Sequence, residues 1–251
     1  MKVEFHYTYL LIALSFILTG YFSNILVFTS IILIHELGHY TTSKLYKLNP
    51  DKIIIYPYGG ITKINVPINT NINKELHIAI SGVIFQSIYY LIIFFLYKNN
   101  FIREYIFNEF TTYHYSILIF NLLPIHPLDG SKILNLFLLK FFPYKLTLKL
   151  NIYISIITLI IITIINYYQF NYTTILIISI IIDNIIKYYK DINYLFNRFL
   201  LERYLHSYQY NKTKKITKID NMYKQKRHII KEKDKYLTEK QLLKQRFDKK
   251  Y

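Results

Sequence analysis

The sequence predicts an all-α membrane protein with about six transmembrane helices, a short membrane-proximal β-hairpin and a basic C-terminal tail. Of its 251 residues, 53% are hydrophobic, and they lie in long blocks that a soluble core does not need. A bilayer core about 30 Å thick takes roughly 20 apolar residues per helix, and six stretches come near that length. The candidate spans are about Tyr7–Phe22, Ile25–Lys44, Leu76–Tyr97, Tyr113–Leu128, Lys149–Tyr168 and Tyr172–Tyr189.

Positive charge is distributed unevenly between the predicted loops. Lysines fill the loops after the second and fourth spans, and the region from Lys187 onward holds 19 Lys and Arg against 7 Asp and Glu. The turns at Gly20–Asn24 and Gln169–Asn171 hold no Lys or Arg. In the loop Lys98–Thr112 two basic residues are offset by two glutamates. Because cytoplasmic loops carry the excess of Lys and Arg, both termini are predicted to be cytoplasmic.

This pattern predicts two regions. Residues 1–189 form a transmembrane domain, and residues 190–251 form a basic cytoplasmic tail, for which a degenerate regulatory region is the alternative. A basic tail can bind nucleic acid. After a block of spans it more often marks the cytoplasmic side, so no nucleic-acid partner is expected.

The segment Asn49–Val66 does not have a helical pattern. Lys52 to Tyr56 is a short β-branched run, and Pro57, Gly59 and Gly60 follow it before an alternating stretch. These features predict a short hairpin. Within a membrane such a hairpin has to be shielded by protein, because lipid cannot satisfy its backbone polar groups.

The strongest chemical signal is the run His35-Glu36-Leu37-Gly38-His39 at the end of the second predicted span. Residues four apart share one face of a helix, so both imidazoles can reach one metal ion. Glu36 lies beside them, where it can take a proton from water. Hydrogen-bonded structural histidines are the alternative, but three ionisable groups in an apolar span are costly unless they face a polar site.

A catalytic zinc usually has three protein ligands. The chain has no cysteine, so no thiolate can supply the third. Asp129 ends the fourth predicted span at the same cytoplasmic depth as His35 and His39, and we predict that it is the third ligand. A helix cap or turn residue is the alternative for Asp129. His126, between two prolines, is a competing ligand. Asp183 in the last span is a further candidate site residue, and a solvated helix end is the alternative for it.

The paired motifs resemble those of a known family. HELGH on one span and Asn-x-x-Pro-x-x-Pro-Leu-Asp-Gly at residues 121–130 resemble the site-2 proteases, intramembrane zinc metalloproteases, and are most similar to the branch of stage IV sporulation protein FB. The segment 56–61 resembles the hairpin of that branch. The resemblance covers about Phe28–Leu138. The run Ser81-Gly82-Val83 departs from the Ala-Gly-Pro often found in the family.

The resemblance implies a role for each matching residue. It implies that zinc is held by His35, His39 and Asp129, and that Glu36 is the catalytic acid and base. Asn121 would position or polarise the substrate, although its residue type alone fits a buried structural amide equally well. The resemblance also implies that the unwound substrate pairs with the hairpin residues Tyr58, Gly59, Gly60 and Ile61.

The implied activity is regulated intramembrane proteolysis by a zinc metalloendopeptidase. Its substrate would be a membrane-associated or single-span protein such as a pro-sigma factor during sporulation, and membrane proteins would regulate it. The implied location is the bacterial cell membrane, with a multi-pass chain and the active site toward the cytoplasm. The tail resembles poorly the nucleotide-sensing module of many relatives, and no ATP binding is predicted.

Two alternatives stay open at this point. A metalloprotease with a glutamate as third ligand needs a Glu at membrane depth, whereas Glu104, Glu109 and Glu202 lie outside the predicted spans. A metal transporter or non-proteolytic membrane metal-binding protein fits the histidines but does not need Glu36 beside them.

Overall fold

The structure is a computed structural model that describes residues 2–57, 59–165, 171–210, 212–232 and 235–248. It is mostly helical, with two small β-sheets. The helices are α1 (Tyr7–Leu18), α2 (Phe22–Leu45), α3 (Ile72–Lys98), α4 (Glu104–Leu122), α5 (Asp129–Leu138), α6 (Tyr144–Ile165), α7 (Tyr172–Leu205) and α8 (Glu239–Phe247). The strands are β1 (Lys2–Phe5), β2 (Pro50–Tyr56), β3 (Gly59–Ile64), β4 (Thr213–Ile216), β5 (Arg227–Glu232) and β6 (Lys235–Thr238).

The chain divides into two compact units. The first holds Met1–Val66 and Leu76–Leu122, and the second holds Pro67–Glu75 and Leu123–Tyr251. The predicted boundary between residues 189 and 190 falls inside α7, which runs from Tyr172 to Leu205. The division into a transmembrane domain of residues 1–189 and a tail of residues 190–251 stays a prediction.

Three of the described helices are long and apolar enough to cross a membrane, namely α2, α3 and α6, with 24, 27 and 22 residues. Helix α1 is apolar but shorter. The fourth predicted span overlaps α4 in part, and the sixth falls within α7. The last residues of the fifth, 166–168, lie outside the described residues. The count of six spans therefore stays a prediction.

The boundaries of the fourth predicted span were wrong. The prediction placed it at Tyr113–Leu128, whereas α4 covers Glu104–Leu122. Pro124 and Pro127 lack a backbone N–H and cannot continue a helix, which is why α4 ends before them. The helix begins earlier because Glu104 in its first turn suits the positive end of the helix dipole. The predicted loop at Lys98–Thr112 is correspondingly shorter.

The predicted hairpin is present, and a further strand joins it. Strand β2 is central, with β3 antiparallel on one side and β1 parallel on the other. The side chains of Ile53 and Ile55 are fully buried and pack with Tyr9, Ile25 and Ile32. This apolar cluster fixes the sheet against α1 and α2, because burial of each large aliphatic side chain contributes about 1.5–3 kcal/mol.

The basic region after α7 contains a second small sheet, so the all-α description and the simple tail are both incomplete. Strand β5 is central, parallel to β4 and antiparallel to β6, and α8 follows directly. Ile216, Met222, Ile230 and Leu243 are buried and give this C-terminal module its own core. The strands have only four to six residues and are rich in lysine, so their alternation is hard to recognise in the sequence.

A buried arginine ties α7 to this C-terminal module. The side chain of Arg203 is only 1% exposed. Its guanidinium donates to the carbonyls of Tyr223 and Lys224 at 2.9 and 2.7 Å, and to Glu239 Oε1 at 2.7 Å. A buried guanidinium is tolerated only when its donors are satisfied, and here backbone carbonyls and a carboxylate satisfy them.

The segment Pro67–Glu75, which connects β3 to α3, is held by the same end of α7. The carboxylate of Glu202 accepts hydrogen bonds from the backbone N–H groups of Ile68 and Asn69, each at 3.1 Å. The side chain of Asn69 is buried and accepts from Arg203 Nε at 3.0 Å. The connection between the hairpin and α3 is therefore fixed by hydrogen bonds.

His228 and Glu239 form a pH-sensitive pair within the C-terminal module. Burial lowers the pKa of His228, and its Nε2 accepts the backbone N–H of Tyr223 at 2.9 Å, a role that protonation would abolish. Burial raises the pKa of Glu239, but the hydrogen bond from His228 and the charge of Arg203 outweigh it, so the net pKa lies below its usual value. Both residues therefore favour the folded module at neutral pH.

We expect the module to lose stability as the pH falls. A histidine with a lowered folded pKa contributes fully above its unfolded value of 6.5 and loses that contribution below it. Glu239 adds a further loss at lower pH. The chain has no tryptophan, so Phe247→Trp on α8 provides a fluorescence reporter for urea unfolding at about pH 7.5 and about pH 5.5.

His228→Gln is the control, because a neutral amide can keep a donor and an acceptor but cannot be protonated in this range. It should flatten the pH dependence between these two values. An identical loss of stability in both proteins would contradict the assignment to His228.

Candidate metal centre

The three residues of the HExxH motif are brought together in the second half of α2. The side chains of His35, Glu36 and His39 are buried, with 2%, 5% and 6% of their surface exposed. Their candidate ligand atoms all lie within 4.8 Å of one another. The two Nε2 atoms are 3.1 Å apart. The helical spacing of four thus places both imidazoles on one face, as predicted.

A backbone carbonyl fixes the tautomer of His39. Its Nδ1 lies 2.7 Å from the carbonyl oxygen of Ile78 in α3. A carbonyl can only accept, so Nδ1 carries the proton and Nε2 of the neutral ring presents its lone pair.

A glutamine fixes the tautomer of His35 in the same way. Its Nδ1 lies 2.9 Å from Gln86 Oε1, and Gln86 Nε2 donates to the carbonyl oxygen of His114 in α4 at 3.0 Å. The carbonyl of His114 requires a donor, which settles the orientation of the amide and leaves Oε1 for His35. His35 therefore also carries its proton on Nδ1 and presents a lone pair at Nε2.

These residues fit a metal ion. The Nε2 atoms of the two buried rings lie 3.1 Å apart, so one cation could bind both. Two nitrogens bound at about 2.0–2.1 Å to one tetrahedral zinc lie about 3.3 Å apart, close to the observed separation. Gly82 in α3 leaves this space open, since a Cβ there would overlap Nε2 of both histidines.

The hairpin lies directly against Glu36. Thr62 Oγ1 in β3 donates to Glu36 Oε2 at 2.6 Å. Gly60 is equally close, because a Cβ at this position would overlap the side chain of Glu36. The candidate acid and base of the site is therefore held between α2 and the edge strand β3.

The other predicted site residues lie on other elements of the chain. Asp129 is the first residue of α5 in the second compact unit, is 6% exposed, and has Lys132 Nζ at 2.8 Å from Oδ1. Its role as third ligand stays a prediction. Asn121 lies in the last turn of α4, and its role in substrate binding also stays a prediction. His126, the competing ligand, stacks on Tyr188 with a centroid distance of 4.0 Å.

The predicted hairpin contacts are described only in part. Tyr58 lies outside the described residues. Gly59 has a φ of +149°, which side chains rarely adopt, and Ile61 is 45% exposed. A pairing of these residues with substrate stays a prediction.

Sequence reasoning missed two residues that contact the motif, Gln86 and Thr62. Gln86 is a polar residue in the middle of an apolar span, and such residues usually mark a site. It lies four residues after Gly82, so the two share one face of α3. Thr62 has no comparable signal, because a threonine in a strand is ordinary.

Comparison with known proteins agrees with this geometry. Residues 23–107 match the model of Peptidase family M50. The chain is 28% identical over 221 residues to Stage IV sporulation protein FB of Bacillus subtilis (strain 168). This alignment covers 87% of the chain and 75% of that protein. It is 30% identical over 165 residues to a zinc metalloprotease of Methanocaldococcus jannaschii. That alignment covers 60% of the chain and 46% of the relative.

The solved structure of the site-2 protease from Methanocaldococcus jannaschii shares the fold. It aligns with a TM-score of 0.56 and 22% identity, over 74% of this chain and 89% of that chain. This similarity shows the fold, and the buried HExxH cluster lies on α2 of that fold. Residues 23–107, which include the HExxH motif, are thus similar to Peptidase family M50, and the sequence is similar to Stage IV sporulation protein FB.

We expect Gly82→Ala to weaken metal binding. The new methyl group would force the two imidazoles to move, and each is held at Nδ1 by a hydrogen bond worth about 1 kcal/mol. Loss of one such bond corresponds to roughly a fivefold weaker affinity. The measurement is a competition titration of the metal-free protein with a chelator.

Ser87→Ala is the matched control on the same helix, because the Ser87 hydroxyl donates to the carbonyl of Val83 within α3. It should keep wild-type affinity. A Gly82→Ala protein with unchanged affinity would show that Gly82 does not limit the space at the site.

Proposed function

We propose that the protein is an intramembrane zinc metalloendopeptidase that carries out regulated intramembrane proteolysis. The observation that carries the proposal is the position of Glu36, which lies beside two metal-ready imidazoles and in contact with the edge strand β3. A protease needs all three features together: a metal site, an acid and base, and a surface that holds an extended peptide.

Zinc is the metal that the site would bind. One curated relative is named a zinc metalloprotease, and a site of two imidazoles with a carboxylate is a common catalytic donor set for zinc. His35 and His39 would hold the ion, with Asp129 as the proposed third ligand. When bound, zinc polarises the scissile carbonyl and lowers the pKa of a water molecule.

Glu36 performs the proton transfers. Its buried carboxylate takes a proton from the attacking water and later delivers it to the leaving amine. Thr62 holds Oε2 by a hydrogen bond at 2.6 Å, which limits the rotation of the carboxylate. A carboxylate held in one orientation loses little conformational freedom when the transition state forms.

Strand β3 provides a place for the substrate. Within the part of the chain that the structure describes, β1 covers one side of β2, and no strand pairs with the outer side of β3. A helical substrate has to unwind before cleavage, because its carbonyls are engaged in hydrogen bonds. An extended segment could add to β3 through backbone hydrogen bonds, and it would then run past Glu36.

The membrane arrangement forms part of the proposal. Six spans would place both termini and the metal centre on the cytoplasmic side of a bacterial cell membrane, as the distribution of lysine and arginine indicates. The second half of α2 carries the HExxH motif and ends near Lys44 in the lysine-rich segment. Water would reach the site from this side.

The proposed substrate is a membrane-associated or single-span protein. Similarity to Stage IV sporulation protein FB supports a pro-sigma factor that is released during sporulation, with membrane proteins that regulate its cleavage. This assignment rests on the similarity.

We expect Glu36→Gln to abolish cleavage and to keep zinc. The amide has nearly the shape of the carboxylate but cannot accept the proton, and loss of general acid–base catalysis costs about 10²–10⁴-fold in rate. The measurement combines co-expression with a candidate membrane-tethered substrate and determination of zinc in the purified protein. A variant that cleaves at the wild-type rate would exclude this mechanism. Loss of zinc together with cleavage would instead assign Glu36 as a ligand, as in a metal transporter.

We expect Asp129→Asn to weaken zinc binding and to abolish cleavage, because a neutral amide is a much poorer zinc ligand than a carboxylate. His126→Ala should leave zinc content near the wild-type level, since the His126 ring stacks on Tyr188. Both variants are compared by zinc content and by cleavage. A dispensable Asp129 together with an essential His126 would reverse the assignment of the third ligand.

A further inference from the structure

Gln86 in α3 connects the metal-binding helix to α4. Its side chain is fully buried. It accepts from His35 Nδ1 at 2.9 Å and donates to the carbonyl oxygen of His114 at 3.0 Å. We propose that Gln86 is a positioning residue of the metal centre, which fixes the tautomer and the ring orientation of His35. The proposal rests on the metal site of the proposed function and adds a residue that supports its first ligand.

A buried amide is costly unless its oxygen meets a donor and its N–H groups meet acceptors. Without these hydrogen bonds, burial of the amide costs on the order of 1–3 kcal/mol in proteins. A leucine or methionine could fill the same volume in an apolar helix without that cost. The amide at position 86 supplies both a donor and an acceptor, and the two observed contacts use one of each.

The contact with His114 determines the contact with His35. The carbonyl of His114 belongs to the backbone of α4 and can only accept, so it fixes which end of the amide faces α4. The oxygen then faces His35, and the proton of that ring is held at Nδ1. The lone pair at Nε2 is thereby directed toward Nε2 of His39, 3.1 Å away. The backbone of α4 thus determines which nitrogen of His35 on α2 carries the proton.

The alternative is that Gln86 simply joins α3 to α4 and that its contact with His35 has no consequence for the metal. Glutamate separates these two roles. Gln86→Glu keeps an acceptor for His35 but cannot donate to the carbonyl of His114 when it is ionised. Gln86→Met keeps the length and removes both hydrogen-bonding groups.

Tyr89→Phe is a matched control. The Tyr89 hydroxyl donates to Ser30 Oγ at 3.2 Å, so it also links α3 to α2, but through a hydroxyl acceptor and not through an imidazole. Its removal therefore tests whether any lost hydrogen bond between these helices affects the metal.

The experiment measures zinc affinity by chelator competition and records the absorption spectrum of the cobalt-substituted protein. We expect Gln86→Met to bind zinc about 10–100-fold more weakly, the range found when an outer partner of a metal ligand is removed. Its cobalt spectrum should change, because His35 is no longer held in one orientation. Gln86→Glu should bind within a few-fold of the wild type, and Tyr89→Phe should match the wild type in both measurements.

Three outcomes would overturn the positioning role. The first is wild-type affinity and spectrum in Gln86→Met. The second is a loss in Gln86→Glu as large as in Gln86→Met, which would assign Gln86 to the α3–α4 contact. The third is an equal loss in Tyr89→Phe. If Gln86→Met does not fold, Gln86→Glu decides alone: zinc affinity within a few-fold of the wild type supports the positioning role, and a loss of about tenfold or more overturns it. A wild-type protein that does not bind zinc would instead overturn the proposed function.

Discussion

The protonation of the two imidazoles at Nδ1 is the constraint on which the rest of the site depends. Each ring donates from Nδ1 to an acceptor on α3, either the carbonyl of Ile78 or the amide of Gln86. Both lone pairs then point into one small space that Gly82 keeps open. Because both rings are buried and each Nδ1 faces one of these acceptors, the tautomers are determined by the packing of α2 on α3.

The hairpin depends on a different force, the burial of apolar side chains. Ile53 and Ile55 point from β2 into the cluster around Tyr9 and Ile32. Their burial sets the register of the sheet, since a shift by one residue would turn them toward the other face. The register of β2 in turn places Thr62 opposite Ile53. The hydrogen bond to Glu36 is therefore a consequence of the same hydrophobic packing.

The sequence predicts the local parts of this site and not the contacts between helices. The four-residue spacing of His35 and His39 and the β-branched run before Pro57 carry enough information for a helix and a hairpin. The partners Gln86 and Thr62 become visible only when α3 and β3 pack against α2. Strand β1 was missed for the same reason, because four residues before an apolar run have no period of their own. The C-terminal module was missed because its strands have only four to six residues and mix apolar with charged residues without a clear alternation.

The connection between the hairpin and α3 lies between two residues that contact the HExxH motif. Thr62 precedes it and contacts Glu36, and Ile78 follows it and contacts His39. Between them, Glu202 at the end of α7 accepts the backbone N–H groups of Ile68 and Asn69. A connection without these bonds would lose about 1–2 kcal/mol of backbone entropy per residue on ordering and gain nothing in return. The hydrogen bonds to Glu202 offset part of that cost at Ile68 and Asn69.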